Sequence, residues 1–204
     1  MEVYYNQMNL NYDSRVCSFT GYRTQKLNIC LKSGDGKTLT LQILKSILKS
    51  QMQIMLDRGF TTFMSGMAIG ADLMFAQAAL ELRKDYPGIV KLIAVIPCLE
   101  HDKNWGETER LQCQELITKA DNCVLVSNSP YYDGCMAKRN RYLVNACDEL
   151  LAIYDGQRGG TMQTINYAKN KSIKVTIIDP TREKLITLHE TCQTEKQLTE
   201  IIEY

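Results

Sequence analysis

Histidine is almost missing from these 204 residues, with His101 and His189 the only two. No grouping of histidine with carboxylates falls at ligand spacing, so no metal site is expected. An excess of one charge is missing too: 24 basic residues against 23 acidic leave a formal net charge of +1. That balance argues against a nucleic-acid partner, and no basic stripe interleaved with aromatics is present. Nor does any apolar run approach the ~20 residues that cross a bilayer, so no membrane partner is expected. The start, Met1-Glu-Val-Tyr-Tyr-Asn6, has neither the basic region nor the apolar core of a signal peptide. Eight cysteines are present, yet without one C-x-x-C pair, which supports neither a disulfide framework nor a zinc site. Cys17, Cys98 and Cys123 lie in apolar runs, where a free thiol behaves as a small hydrophobe. A cytoplasmic protein with reduced thiols is the expectation.

What is there is organised around Phe63-Met-Ser-Gly-Met-Ala-Ile-Gly-Ala-Asp72. The β-branched and aromatic residues before it read as a buried strand, and Ala71 to about Lys84 reads as a helix. Between them Ser65, Gly66, Ala68, Gly70 and Ala71, all small, form a turn that also carries Met67 as a candidate ligand-binding residue. Such a turn opening a helix leaves backbone N–H groups free for a phosphate. Asp72, at the helix start, either caps it or receives a ribose hydroxyl.

Two other junctions have the same character. Val16-Cys-Ser-Phe-Thr20 reads as a first strand that runs into Gly21, Tyr22 and Arg23. Glu149-Leu-Leu-Ala-Ile-Tyr154 is another strand, followed by Asp155, Gly156, Gly159, Gly160 and Thr161 and a helix over 162–170 that carries Thr164. Ser33-Gly-Asp-Gly-Lys-Thr38 imitates a P-loop but has Leu31 where that pattern needs glycine. It reads as a turn before a helix from Thr38 to Arg58, ended by Gly59. Ile89–Ile96 is a nearly continuous apolar strand stopped by Pro97, and a surface loop then carries His101 and Trp105. A helix over 107–120, a strand over 122–127 and a helix over 135–144 follow. That last helix bears Lys138, Arg139 and Arg141 near its N-terminal end, where the macrodipole disfavours cations. They mark either an anionic partner or solvated surface charge. Ile173–Ile178 is the last strand, residues 1–14 read as an arm, and the tail 182–204 as carrying a short helix with Leu198, Ile201 and Ile202.

Strands alternating with helices of crossover length predict an α/β fold: a doubly wound, mainly parallel sheet with helices on both faces. Ligands of such sheets sit at the carboxyl ends of the strands, where all three small-residue turns fall.

Cys17-Ser-Phe-Thr-Gly-Tyr-Arg23, Ser65-Gly-Met-Ala-Ile-Gly-Ala-Asp72, Ala94-Val-Ile-Pro97 and Cys135-Met-Ala-Lys-Arg-Asn-Arg141 occur in the order found in the YpsA-like family of the SLOG superfamily. Ala152-Ile-Tyr-Asp-Gly156, Gly159-Gly-Thr161 and Ile177-Ile-Asp-Pro180 continue the resemblance, which covers about residues 15–181. It implies a Rossmann-like nucleotide-binding domain, related to DprA and to the LOG phosphoribohydrolases. The implied ligand is a small-molecule nucleotide: ADP-ribose, another NAD-derived nucleotide or a cyclic signalling nucleotide. LOG enzymes use a glutamate where this chain has Gln163 and Thr164, and neutral side chains cannot do a carboxylate's work there. The leading reading is a sensor or regulator. Glycines 66, 70 and 160 would expose backbone, Ser65, Thr161 and Thr164 would give hydroxyls, and Arg23 and Arg139 would offset phosphate charge. Tyr22 or Trp105 would stack on a base or simply pack. The alternatives are a hydrolase using Asp72, Asp155 or Glu109, and a protein that sequesters an immune signalling nucleotide. Because LOG relatives pair through helices, a homodimer is expected.

Overall fold

The computed structural model describes residues 14–32, 40–181, 184–188 and 199–203. The P-loop-like Ser33–Thr38 segment, His189 and the arm up to residue 13 lie outside them. The chain alternates as expected: β1 (Arg15–Thr20), α1 (Thr24–Lys32), α2 (Leu41–Asp57), β2 (Phe60–Ser65), α3 (Ala71–Asp85) and β3 (Lys91–Ile96). Then come α4 (Glu107–Lys119), β4 (Asn122–Leu125), α5 (Cys135–Asn145), β5 (Glu149–Ile153), α6 (Gly160–Asn170), β6 (Lys174–Asp179), β7 (Lys184–Leu188) and β8 (Thr199–Glu203).

The strands form one sheet in the order β4-β3-β2-β1-β5-β6-β7-β8. From β4 to β6 every pairing is parallel, and β7 and β8 add antiparallel strands at one edge. This corrects two expectations. Residues 199–203 are extended rather than helical, because they pair with β7 in the register Lys184 to Glu203. Helix α1 follows the first turn, where no helix was expected.

Burial on both faces explains why the inner strands read as unbroken apolar runs. Leu27 of α1, Leu44, Leu48, Met52 and Met55 of α2, most of α3, and Cys113 and Leu116 of α4 cover one face. Val144 of α5 with Ile165 and Ala168 of α6 covers part of the other, and Leu143 packs beside them under β1 to β3. Phe75 stacks on Phe19 with ring centres 4.5 Å apart and meets Phe63 edge-on, tying α3 to β1 and β2. Thr40 caps α2, its hydroxyl accepting from the Ile43 N–H at 3.2 Å. Gly59, at φ +86°, ends the helical run as the sequence implied. The sheet winds outward in opposite directions from β1 and β5, so the topological switch point lies between their carboxyl ends.

Candidate functional site

At that switch point a cleft of about 340 Å³ opens. Its walls come from the turn after β1 (Thr20, Gly21, Tyr22, Arg23, Lys26), from Ala68 and Asp72 of the β2–α3 junction, and from Met136, Arg139 and Asn140 of α5. Arg158, Gly159, Gly160 and Thr161 at the start of α6 complete it. Parallel pairing brings these distant segments together, since it stacks the carboxyl ends of β1, β2 and β5 on one edge.

The most deeply buried cation of the cleft is Arg139, 5% exposed. Its Nη1 donates to Asp72 Oδ2 at 2.9 Å, and Nη2 approaches the Met136 sulfur at 4.0 Å. Its Nε has no hydrogen-bond partner. An unpaired buried guanidinium N–H is costly, because desolvation is not repaid. Asp72 is equally enclosed and also accepts from the Ala68 N–H at 3.3 Å. Burial pushes its carboxyl above the ordinary value, against the charge and hydrogen bond of Arg139. Arg23, Lys26 and Arg158 add three more cations to the lining, so Asp72 is the one carboxylate among four positive groups. Helix α6 begins at Gly160 without a side-chain cap. The first N–H groups of any helix lack partners within it, so its positive end opens onto the cleft beside Thr161.

Several residues singled out in the sequence lie elsewhere, each for a local reason. Gly66 serves Arg139: a Cβ there would fall 1.2 Å from Nη1. Gly70, at φ +97°, lets the β2–α3 turn dock on the β1–α1 turn, since a Cβ would lie 2.5 Å from the Thr24 nitrogen. Ala71 N–H then donates to the Tyr22 carbonyl at 3.0 Å. The Ser65 hydroxyl is committed to the Asp72 carbonyl at 2.8 Å, and the Met67 N–H donates to that hydroxyl. Thr164, buried in α6, donates to the Gly160 carbonyl and accepts from Asn140. Asp72 makes no side-chain cap on α3, and its Oδ2 is held by Arg139.

Tyr22 lines the cleft but is not a stacking platform. It is 4% exposed, Lys26 Nζ lies 4.1 Å above its ring, and its hydroxyl donates to Asp155. That bond and the Gln157 N–H occupy Asp155, which does not line the cleft. Gly156 stands in the same outer loop. Pro97 is buried at the end of β3, two strands from β1. Trp105 packs against the core and meets His101 edge-on at 5.4 Å. Lys138 is exposed on another face of α5 than Arg139, and Glu109 lies at the start of α4. Neither reaches the cleft.

Lys26, Met136, Asn140 and Arg158 are cleft residues the sequence reading passed over. Helical spacing held the signal for three of them: Lys26 is three residues from Arg23, and Met136, Arg139 and Asn140 share one face of α5. Nothing local marks Arg158.

A sheet wound about a switch point, with a cationic cleft at its strand ends, defines a Rossmann-like α/β protein. A family model described as the YspA SLOG family, YpsA, matches residues 17–188. The chain belongs to that family. It is 28% identical over 148 residues to the UPF0398 protein YpsA of Bacillus subtilis, covering 72% of this chain and 79% of that one. A UPF0398 protein of Halalkalibacterium halodurans is 26% identical over 178 residues, covering 86% and 89%. Among solved structures, DNA processing protein A of Helicobacter pylori, described for its single-stranded DNA binding mode, superposes with a TM-score of 0.56 at 15% identity. The match covers 82% of this chain and 66% of that protein. DprA of Streptococcus pneumoniae gives 0.55 at 20% identity, covering 81% and 50%. At such identities the likeness is one of fold. No helix among the described residues is long and apolar enough to cross a membrane.

Proposed function

We propose that the cleft binds a phosphate-bearing nucleotide, of the ADP-ribose, NAD-derived or cyclic kind, and that the protein acts as a sensor or regulator. The observation that carries this reading is the partnerless Nε–H of Arg139 at the wall of a cation-rich cleft. A phosphate answers the charge of that guanidinium, and the uncapped start of α6 offers N–H donors to the same anion. Arg23, Lys26 and Arg158 then balance the ligand's charge. Binding without turnover is favoured by the state of the carboxylates. Asp72 is locked to Arg139, Asp155 is held by Tyr22, and Glu109 is outside the cleft.

The test is a thermal-shift titration with AMP, ADP, ATP, NAD, ADP-ribose and cyclic nucleotides, followed by chromatography of each ligand. A ligand at a hundred times its Kd adds about 2.7 kcal/mol, a rise of roughly 5 to 10 °C in a chain of this size. Recovery of the ligand intact supports the sensor, and submicromolar affinity would turn the reading toward sequestration. Recovery as products means a hydrolase. No shift with any nucleotide at millimolar concentration refutes the site. The homodimer joins the proposal, to be checked by light scattering after size exclusion.

A further inference from the structure

Resting on the phosphate-site reading above, we propose that Asn140 makes the cleft a sugar-phosphate site, with its side-chain oxygen accepting from a ligand hydroxyl beside the anion. A short chain of hydrogen bonds fixes how the amide faces. The Thr164 hydroxyl donates to the Gly160 carbonyl at 2.8 Å. A hydroxyl has one proton, so toward Asn140 it can only accept. Asn140 meets it with Nδ2 at 2.8 Å. The amide is thereby held with Oδ1 on its other side, and among the described residues no group donates to that oxygen.

Fixed cations dominate the rest of the lining. Arg23, Lys26, Arg139 and Arg158 are donors only. The Thr161 hydroxyl is turned to the Gly21 carbonyl at 3.2 Å, and the Tyr22 carbonyl takes the Ala71 N–H. Asp72 takes Arg139 and Ala68 on Oδ2. Beside a bare phosphate, whose oxygens are acceptors, the lone pairs of Oδ1 are a disadvantage. They become an advantage when the ligand carries an O–H next to its phosphate, as a phosphorylated sugar does. Thr164 is then a positioning residue that sets the polarity of Asn140 from inside α6.

Calorimetric titration of ribose 5-phosphate against methyl phosphate tests this, because both carry the same phosphomonoester charge. The wild-type protein should prefer the sugar phosphate by about tenfold, the worth of one well-made hydrogen bond. In Asn140→Ala and Thr164→Val that ratio should fall toward unity. Thr164→Ser, which keeps the hydroxyl, should restore it, and a merely structural role for Thr164 would not give this pattern. Equal affinities in the wild type, or a ratio untouched by both variants, overturns the assignment of Asn140 while the phosphate site stands. If neither compound binds, the assignment of Asn140 falls, and the nucleotide titration decides the phosphate site separately.

Discussion

Replacing Gly66 with alanine puts the ion pair under the cleft to a direct test. The added methyl would lie 1.2 Å from Arg139 Nη1, 2.4 Å from its Cζ and 2.8 Å from Asp72 Oδ2. The obstacle is the end of a flexible side chain, so the guanidinium moves and the backbone does not. The penalty is therefore set by what the guanidinium leaves behind. Arg139 and Asp72 are each 5% exposed, and their bond is 2.9 Å. Separating them leaves Asp72 with the Ala68 N–H and the charge of Arg23, and leaves the guanidinium with the Met136 sulfur. Breaking a buried pair in this way costs about 3–5 kcal/mol. With about 2–4 °C lost per kcal/mol in a chain of this size, Tm should fall by roughly 6 to 20 °C.

Circular-dichroism melts and urea titrations measure this directly, and a second background isolates the cause. Gly66 is not at a positive φ, so alanine brings no backbone strain of its own. In Arg139→Met the guanidinium is already gone, and most of the Gly66→Ala penalty should vanish. Such non-additivity is what two residues sharing one contact produce. A Gly66→Ala protein melting within about 2 °C of wild type, or one whose loss is undiminished beside Arg139→Met, would refute the assignment of Gly66 as the seat of that pair.

Gly70→Ala should be worse tolerated for its surroundings, because its methyl meets the Thr24 nitrogen and Tyr22 carbonyl oxygen, both backbone, at φ +97°. Strain of about 1–2 kcal/mol adds to overpacking of about 1–3 kcal/mol, and a urea midpoint unchanged from wild type would count against the docking of the two turns. Arg158→Ala removes an exposed cleft cation, so it should weaken a phosphate ligand about threefold to fivefold, by calorimetry, and leave the unliganded Tm alone. Burial pushes Glu149 up, but hydrogen bonds from Arg58 and Thr176 and the charge of Lys174 outweigh it and hold the carboxyl below its ordinary value. Its stabilisation is thus whole above the unfolded value of about 4.3 and is lost as pH falls through the lowered folded value. Asp72, raised by burial, has the opposite sign, but it is common to both proteins and drops out of the comparison. Urea midpoints should therefore fall more steeply with acid in wild type than in Glu149→Gln, and parallel curves would dismiss the Glu149 contribution.

The sheet was legible because its signals are local. Runs such as Leu92 to Val95 are buried on both faces, and the helical stripe Leu44, Leu48, Met52, Met55 repeats at the helical period. Helix α1 was hidden because it is short, and Leu27 is the one buried side chain among its described side chains. The tail was misread because Ile201 and Ile202 suit either state, and the pairing with β7 that decides between them is not a local property. Arg139 was legible as a cation at an unfavourable helix position. Its partner was not, since Asp72 lies 67 residues earlier. For the same reason the hydroxyls of Ser65 and Thr164 looked available: the groups that occupy them, the Asp72 carbonyl and the Asn140 amide, are brought in by the fold.

That difference moves the proposed anion from one junction to another. The sequence centres on Ser65 to Asp72, whose small residues suggest a backbone laid against a phosphate. In the folded chain those residues are small for the protein's own sake. Gly66 leaves room for a guanidinium, Gly70 for the backbone of the neighbouring turn, and Ser65 ties the strand end to the first turn of α3. Asp72 receives the guanidinium at Nη1 and leaves Nε over. On the proposed reading the turn serves a ligand indirectly, by holding Arg139 in the wall of the cleft. The open backbone is at Gly159 and Gly160, where α6 starts without a cap and where a Cβ on Gly160 would meet nothing within 4 Å. If the anion sits there, Gly160→Ala should be tolerated in the free protein, because the space is open and the φ of Gly160 is not positive. Its methyl would crowd only a bound phosphate. A Gly160→Ala protein with wild-type Tm and a Kd for the stabilising nucleotide raised by about tenfold would place the anion at α6. An unchanged Kd would put it elsewhere in the cleft.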